Sequence, residues 1–219
     1  MVLNRESLKN GSFLEAFKEM PGIEWWSRER IDLSMYETLE GHTEGDPLWI
    51  FAYGSLIYNP LFDAQERVHA TLDGWHRSFC IRLVIARGSV DFPGRMLALE
   101  PGGSCEGIAL RLGLEEPEEE LRLIWVREMV SGGYRPSWTT IRLADGRIVR
   151  AIFFAADPDS QLYEKETAPD VITPLIARAT GDLGSNQDYV LNLDAALRQH
   201  HIADAGIDEL ARRLRLEIL

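Results

Sequence analysis

Apolar and polar positions change their period along the chain. Over residues 1–46 the texture is helical and polar. Phe13, Leu14 and Phe17 form one apolar stripe, with Ser12 and Glu15 spaced as a capping box. Ile31, Met35 and Leu39 form a second stripe over residues 28–39, and residues 40–47, with two Gly and a Pro, read as a linker. From residue 47 the pattern becomes that of strands. Leu48-Trp49-Ile50-Phe51-Ala52-Tyr53 is a continuous apolar run, as in a strand buried on both faces, and it breaks at Gly54-Ser55. Further strands are expected at 67–72, 79–86, 95–99, 107–112, 139–143 and 148–155. Turns at Asp73-Gly74, Pro101-Gly102-Gly103 and Asp145-Gly146 would separate them. Strands this closely spaced predict an antiparallel or mixed sheet curled toward a barrel.

One helix of about four turns interrupts the strands. Pro117 lies near its start, acidic residues crowd its first turn, and Ser131-Gly132-Gly133 ends it. Beyond residue 156 the pattern is helical again. Thr173-Pro174 is expected to begin one helix and Ser185-Asn186 to cap another that reaches about His200. Ile207, Leu210, Ala211 and Leu214 stripe the last. The expected fold class is α+β, a sheet-based core with flanking helices and no internal repeat.

Composition narrows the function classes. The 219 residues hold 23 Lys and Arg against 35 Asp and Glu, a net charge of -12. That length suits one domain with a sizeable core, and that charge disfavours phosphate backbones and anionic membranes. No apolar run approaches the roughly 20 residues of a spanning helix, and residues 1–20 lack the apolar stretch of a signal peptide. Cys80 and Cys105 are too few for a disulfide framework and are expected as buried thiols in a reducing compartment, the cytoplasm.

Two places carry candidate chemistry. On the helix from Pro117, residues Leu121, Ile124, Trp125 and Glu128 share a face, so the Glu128 carboxyl is expected where that helix meets the core. Burial there would raise its pKa and make it a usable general acid/base. The competing stripe of Leu123, Val126 and Val130, or a basic partner for Glu128, would make it structural instead. At Tyr53-Gly54-Ser55-Leu56, a strand breaking at a Gly-Ser turn can aim several backbone N–H groups into one cavity as an oxyanion nest; an ordinary turn is the plainer alternative. No Gly-x-Ser-x-Gly elbow and no phosphate-binding glycine loop occurs, and the five histidines lack metal-ligand spacing. Tyr189 falls on a core-facing stripe with Leu193, Ala196 and Leu197, and its hydroxyl needs a partner from protein or ligand. Arg77, Arg82, Arg87 and Arg95 cluster around one strand and the loop after it, either as surface charge or as a pocket for an anionic substrate.

Five motifs then occur in one order: Trp49 to Ile57, Pro93-Gly94-Arg95, Gly107 to Arg111, Arg127-Glu128 with Gly132-Gly133-Tyr134, and Asn186-Gln187-Asp188-Tyr189. Together they resemble the ChaC family, the glutathione-specific γ-glutamylcyclotransferases, over about residues 48–200. The resemblance implies a γ-glutamylcyclotransferase-like small mixed β-barrel with flanking helices over residues 47–219, preceded by an N-terminal helical extension over 1–46. It implies cleavage of glutathione into 5-oxoproline and cysteinylglycine with no metal and no organic cofactor. By position, Glu128 corresponds to the family's catalytic glutamate. Ile50, Phe51, Ala52, Tyr53, Gly54 and Ser55 correspond to the strand and loop holding the γ-glutamyl group, and Tyr189 to a tyrosine lining the pocket. Ala52 departs from the family, which usually has Gly there; its methyl group bears on affinity more than on reaction type. The expected partner is a small molecule, glutathione, for a monomer with no nucleic acid and no membrane. A cyclotransferase for other γ-glutamyl amino acids or amines, and a non-catalytic regulator of cation transport, remain as alternatives.

Overall fold

The apolar run before Gly54 forms a short strand, β1 (Trp49–Ala52), buried at all four positions. It belongs to a computed structural model that describes residues 2–18, 23–43, 45–113 and 117–216. Four more strands complete the sheet: β2 (Ala64–Leu83), β3 (Gly94–Leu112), β4 (Tyr134–Leu143) and β5 (Ile148–Ala156). They close into a barrel in the order β1-β3-β2-β4-β5. Ile50 opposite Ile152 joins β1 to β5 in parallel, while β1 and β3, β2 and β3, and β4 and β5 are antiparallel. The sheet is therefore mixed and the barrel small, as expected.

The strand count differs from the pattern-based expectation. Asp73-Gly74 and Pro101-Gly102-Gly103 do not end strands. β2 and β3 pair along their whole length, and the register shifts between Asp73 and Trp75. Gly74, Gly102 and Gly103 take φ of +84°, +117° and +71°, so these glycines bend a continuous ribbon at a bulge. Only Asp145-Gly146 makes a hairpin turn, with Gly146 at φ +90° joining β4 to β5.

Helices flank the barrel. α1 (Arg5–Lys9), α2 (Ser12–Lys18) and α3 (Arg28–Leu39) precede it, α4 (Pro117–Met129) lies between β3 and β4, and α5 (Pro169–Arg178), α6 (Asn186–Gln199) and α7 (Ala205–Leu216) follow. The N-terminal capping box stands at Asn4 and Ser7 rather than at Ser12 and Glu15, because the chain forms an extra turn of helix before α2. α5 begins at Pro169, with Thr173-Pro174 inside it. Proline at the first helical position costs no hydrogen bond, which makes Pro169 the better start. Ser185 caps α6, its Oγ accepting from the Asp188 N–H at 2.9 Å. Ile207, Leu210, Ala211 and Leu214 are all buried on α7. No described helix is long and apolar enough to cross a membrane.

α4 resolves the contest between its two stripes by burying both. Leu121, Ile124 and Trp125 are buried, and so are Leu123, Val126 and Val130. One side packs on the barrel, where Trp125 meets Phe154 edge-on at 5.2 Å between ring centroids. The other side is covered by the N-terminal helices. Arg122 pairs with Asp32 at 3.0 Å, and both guanidinium nitrogens of Arg5 grip the Glu120 carboxylate, which also accepts the Asp63 N–H. That clamp holds the Glu120 carboxyl below its ordinary pKa, chiefly through the Arg5 hydrogen bond.

Candidate active site

α4 ends beside the turn that follows β1, and this juxtaposition makes the site. Glu128 sits in the last turn of α4, its side chain only 14% exposed. It stands at the junction of two spaces. An inner chamber is lined by Tyr53, Gly54, Ser55, Leu97, Tyr134 and Tyr189. A wider cleft of about 260 Å³ opens from the same carboxyl. Burial pushes the Glu128 carboxyl up, and Arg127 opposes that shift with Nε 3.1 Å from Oε1. Glu128 therefore has both the core-edge position and the basic partner that the sequence left as alternatives.

Arg127 also ties the helix to the turn. Its Nη2 donates to Ser55 Oγ at 2.6 Å, and its Nη1 donates to the Asn59 carbonyl. The turn after β1 is a single 3₁₀ turn, Ser55–Ile57, in which the Ile57 N–H donates to the Gly54 carbonyl at 3.0 Å. Among the described residues the N–H groups of Gly54, Ser55 and Leu56 find no acceptor. Three adjacent unpaired donors on a turn lining the chamber are the elements of an oxyanion nest.

Three tyrosines shape the chamber, each held differently. Tyr53 donates to the Phe154 carbonyl at 2.6 Å and Tyr134 donates to the Leu97 carbonyl at 2.8 Å. Burial pushes both phenols well above their ordinary pKa, with the Glu128 charge adding to the effect. Tyr189 reaches in from the first turn of α6 and packs edge-on against Phe79. Its hydroxyl lies over Gly54, 3.6 Å from where a Cβ would stand, and has no hydrogen-bond partner among the described residues. Desolvation pushes this phenol up as well.

Of the residues singled out in sequence, Tyr53, Gly54, Ser55, Glu128 and Tyr189 come together around the chamber. Ile50, Phe51 and Ala52 are fully buried in the barrel wall and line neither space. Ala52 pairs with Ile108, and its carbonyl faces Gly107 so closely that a Cβ on Gly107 would collide with it. The arginine cluster divides. Arg77 is buried and donates to the Tyr53 carbonyl at 2.8 Å and to Asp204 at 2.9 Å, fixing the end of β1. Arg95 is buried beside Glu164 at 3.6 Å. Arg82 and Arg87 border the cleft.

Sequence reasoning gave no role to Arg127, Tyr58 or Tyr134, or to the N-terminal residues Phe13, Phe17 and Trp25 that wall the cleft. Arg127 had a usable signal, a cation adjacent to the candidate acid in the final helical turn. Tyr134 had one as well, its place in the motif Gly132-Gly133-Tyr134; the others have none, since their positions depend on long-range packing.

The family model described as ChaC-like protein matches residues 48–216. A glutathione-specific γ-glutamylcyclotransferase of Escherichia coli (strain K12) is 43% identical over 209 residues, covering 95% of this chain and 90% of its own. Gamma-glutamylcyclotransferase 2-3 of Arabidopsis thaliana is 30% identical over 176 residues, covering 77% of this chain and 88% of its own. Among solved structures, the selenomethionine-labelled glutathione-specific cyclotransferase from yeast superposes with a TM-score of 0.71 at 21% identity, covering 78% of this chain and 96% of its own, and shares the fold.

Proposed function

The chain belongs to the ChaC family, and from that premise we propose that it is a glutathione-specific γ-glutamylcyclotransferase with Glu128 as its general acid/base. The observation that carries this reading is the Glu128 carboxyl itself. It is nearly buried, its pKa is raised by desolvation, and it borders both the chamber and the cleft. A γ-glutamyl peptide bound with its glutamyl end against Ser55, Tyr134 and Tyr189 at the mouth of the chamber and its remainder along the cleft places the scissile amide beside that carboxyl.

The reaction needs no enzyme nucleophile. Ionised Glu128 takes a proton from the substrate's α-ammonium group, and the free amine attacks the γ-carbonyl carbon. A five-membered ring closes through a tetrahedral intermediate whose oxyanion the N–H groups of Gly54, Ser55 and Leu56 can receive. Collapse breaks the amide C–N bond while Glu128 returns its first proton to the leaving nitrogen. Glu128 then takes the second proton from the cationic ring nitrogen, leaving the lactam N–H, and passes it to the expelled amine, which departs as an ammonium group. The products are 5-oxoproline and cysteinylglycine, and the carboxylate is regenerated. Ring closure is intramolecular, so the chamber's contribution is to hold a flexible chain in its cyclising rotamer. Arg127 bonds Ser55 and pairs with Glu128, which keeps base and nest in register.

In this reading residues 47–219 form the catalytic unit and residues 1–46 an extension whose Phe13 and Phe17 wall the cleft. We place the protein in the cytoplasm, where Cys80 and Cys105 stay as free buried thiols, their pKa values pushed by burial to about 12 and about 11.

The test is product analysis with glutathione, γ-glutamylalanine and a γ-glutamyl amine, using wild type and Glu128→Gln. Release of 5-oxoproline and cysteinylglycine from glutathione is expected, with kcat lower by about 10²–10⁴-fold in the variant. Near-wild-type kcat in Glu128→Gln would remove the carboxyl from the mechanism. Turnover of the other two substrates alone would replace the substrate, and folded protein inert toward all three would refute the enzyme.

A further inference from the structure

The cleft outside the chamber is cationic on an acidic protein. Among the described residues it is bordered by three arginines, Arg82, Arg87 and Arg127, and one acid, Glu128. The three differ in what holds them. Arg127 is committed to Glu128, Ser55 and Asn59. Arg82 stands opposite Arg95 in the β2–β3 register, and its backbone N–H donates to the Leu162 carbonyl, but no hydrogen bond among the described residues fixes its guanidinium. Of the three, Arg87 alone has a guanidinium that is held in place yet free to take a carboxylate. Its Nη1 donates to the Ser185 carbonyl at 3.0 Å, and no carboxylate of the described residues pairs with it.

The backbone around Arg87 is held in an uncommon shape. The Arg87 N–H donates to the Ile85 carbonyl at 2.8 Å across Ala86, which takes φ +67°. A three-residue turn with positive φ at its centre is the rarer and strained form, and such strain persists only where the surroundings impose it. Here they do. The Leu183 N–H donates to the Ala86 carbonyl at 2.7 Å. Gly88 packs so tightly on the Leu83 carbonyl that any side chain there would collide with it. A strained, doubly anchored turn thus presents an arginine at the cleft. Its charge lies near the phenols of Tyr58 and Tyr189, drawing both down against the effect of burial.

We infer that Arg87 is the specificity residue for the leaving group, binding the C-terminal carboxylate of the dipeptide that ring closure expels. The inference rests on the proposed function. The proposed function sets the glutamyl end against Glu128 and the turn after β1, so the rest of the substrate lies further along the cleft. The one anion that glutathione carries on that side is its glycine carboxylate. The planar guanidinium fork matches a carboxylate with two parallel hydrogen bonds, so Arg87 selects γ-glutamyl peptides that end in a free carboxylate.

The test compares kcat/KM for glutathione and for its glycyl monoethyl ester, which lacks the anion, in wild type, Arg87→Gln and Arg87→Lys. Wild type should favour glutathione by about 10- to 100-fold, the range for a charge-assisted hydrogen bond lost. Arg87→Gln should bring the acid-to-ester ratio close to 1, mainly through KM, and Arg87→Lys should restore part of the preference. Loss of the Ser185 contact alone would lower both substrates together and leave the ratio intact, which overturns the inference. Equal use of acid and ester by wild type also overturns it, while leaving the cyclotransferase standing. Turnover of neither by wild type removes the proposed function and this inference together.

Discussion

Replacing Asn186 by Ala should cost this fold more than any capping residue around it. Asn186 is the first residue of α6 and fully buried. Its Oδ1 accepts the Arg95 N–H at 2.7 Å, and its Nδ2 donates to the Arg95 carbonyl at 2.9 Å. The carboxamide thus does for β3 what a neighbouring strand would do. Gly94 is required for the approach, because a Cβ there would collide with Asn186 Oδ1. Alanine leaves one donor and one acceptor of Arg95 buried and unpaired, each costing about 1–3 kcal/mol, for about 2–6 kcal/mol together. Against a typical domain stability of about 5–15 kcal/mol this is a large fraction. Ser185→Ala is the matched control. It removes the bond to the Asp188 N–H at the same helix end without touching β3, and should cost about 1 kcal/mol. Urea unfolding of the two variants and wild type, compared at equal m-values, measures both. Asn186→Ala should also raise the KM for glutathione, because Tyr189 lies three residues further along α6. A loss under about 1 kcal/mol, or no greater than that of Ser185→Ala, would refute the reasoning.

Other predictions concern the site. The Arg127 cation favours the ionised form of Glu128, so Arg127→Gln should raise the carboxyl's pKa further. A general base must be ionised to act, so the acidic limb of the kcat/KM–pH profile should move to higher pH; an unmoved limb would uncouple the two groups. Tyr189→Phe should leave the unfolding midpoint unchanged, because the hydroxyl bonds to nothing described, and should weaken substrate binding. Tyr53→Phe instead loses the bond to the Phe154 carbonyl and should cost about 1 kcal/mol in the same denaturation assay. Equal midpoints for the two variants would contradict this distinction.

Much of the local structure was legible in the chain. α3 occupies residues 28–39 as its stripe indicated, α6 starts after Ser185, and α7 buries the four residues of its predicted face. Proline before an acidic first turn, glycine after the last, and apolar spacing of three and four are local signals that hold wherever the segment packs. Glycine in the long strands misled, because Gly74 at φ +84° and Gly102 at φ +117° serve a bulge as readily as a turn. Whether a ribbon bends or ends depends on the strand beside it, and pairing is not local.

For the site, the sequence by itself supplied the chemistry: one carboxylate on an apolar helix, one glycine-serine break after a buried strand, and one tyrosine on the stripe of another helix. Their meeting around one chamber was a matter of tertiary structure. α4 packs Trp125 against Phe154 on the barrel, and that contact sets Glu128 beside the turn after β1. Asn186 pins α6 to β3, and that carries Tyr189 over Gly54. The roles of the arginines were decided there too. Arg77 braces the Tyr53 carbonyl, Arg127 bridges Ser55 and Glu128, and Arg87 is presented on a strained turn anchored from Leu183. Apart from the neighbouring Glu128, the partners of these guanidinium groups lie tens of residues away in the chain, so their charge can be read from sequence while their task depends on which backbone the fold brings within reach.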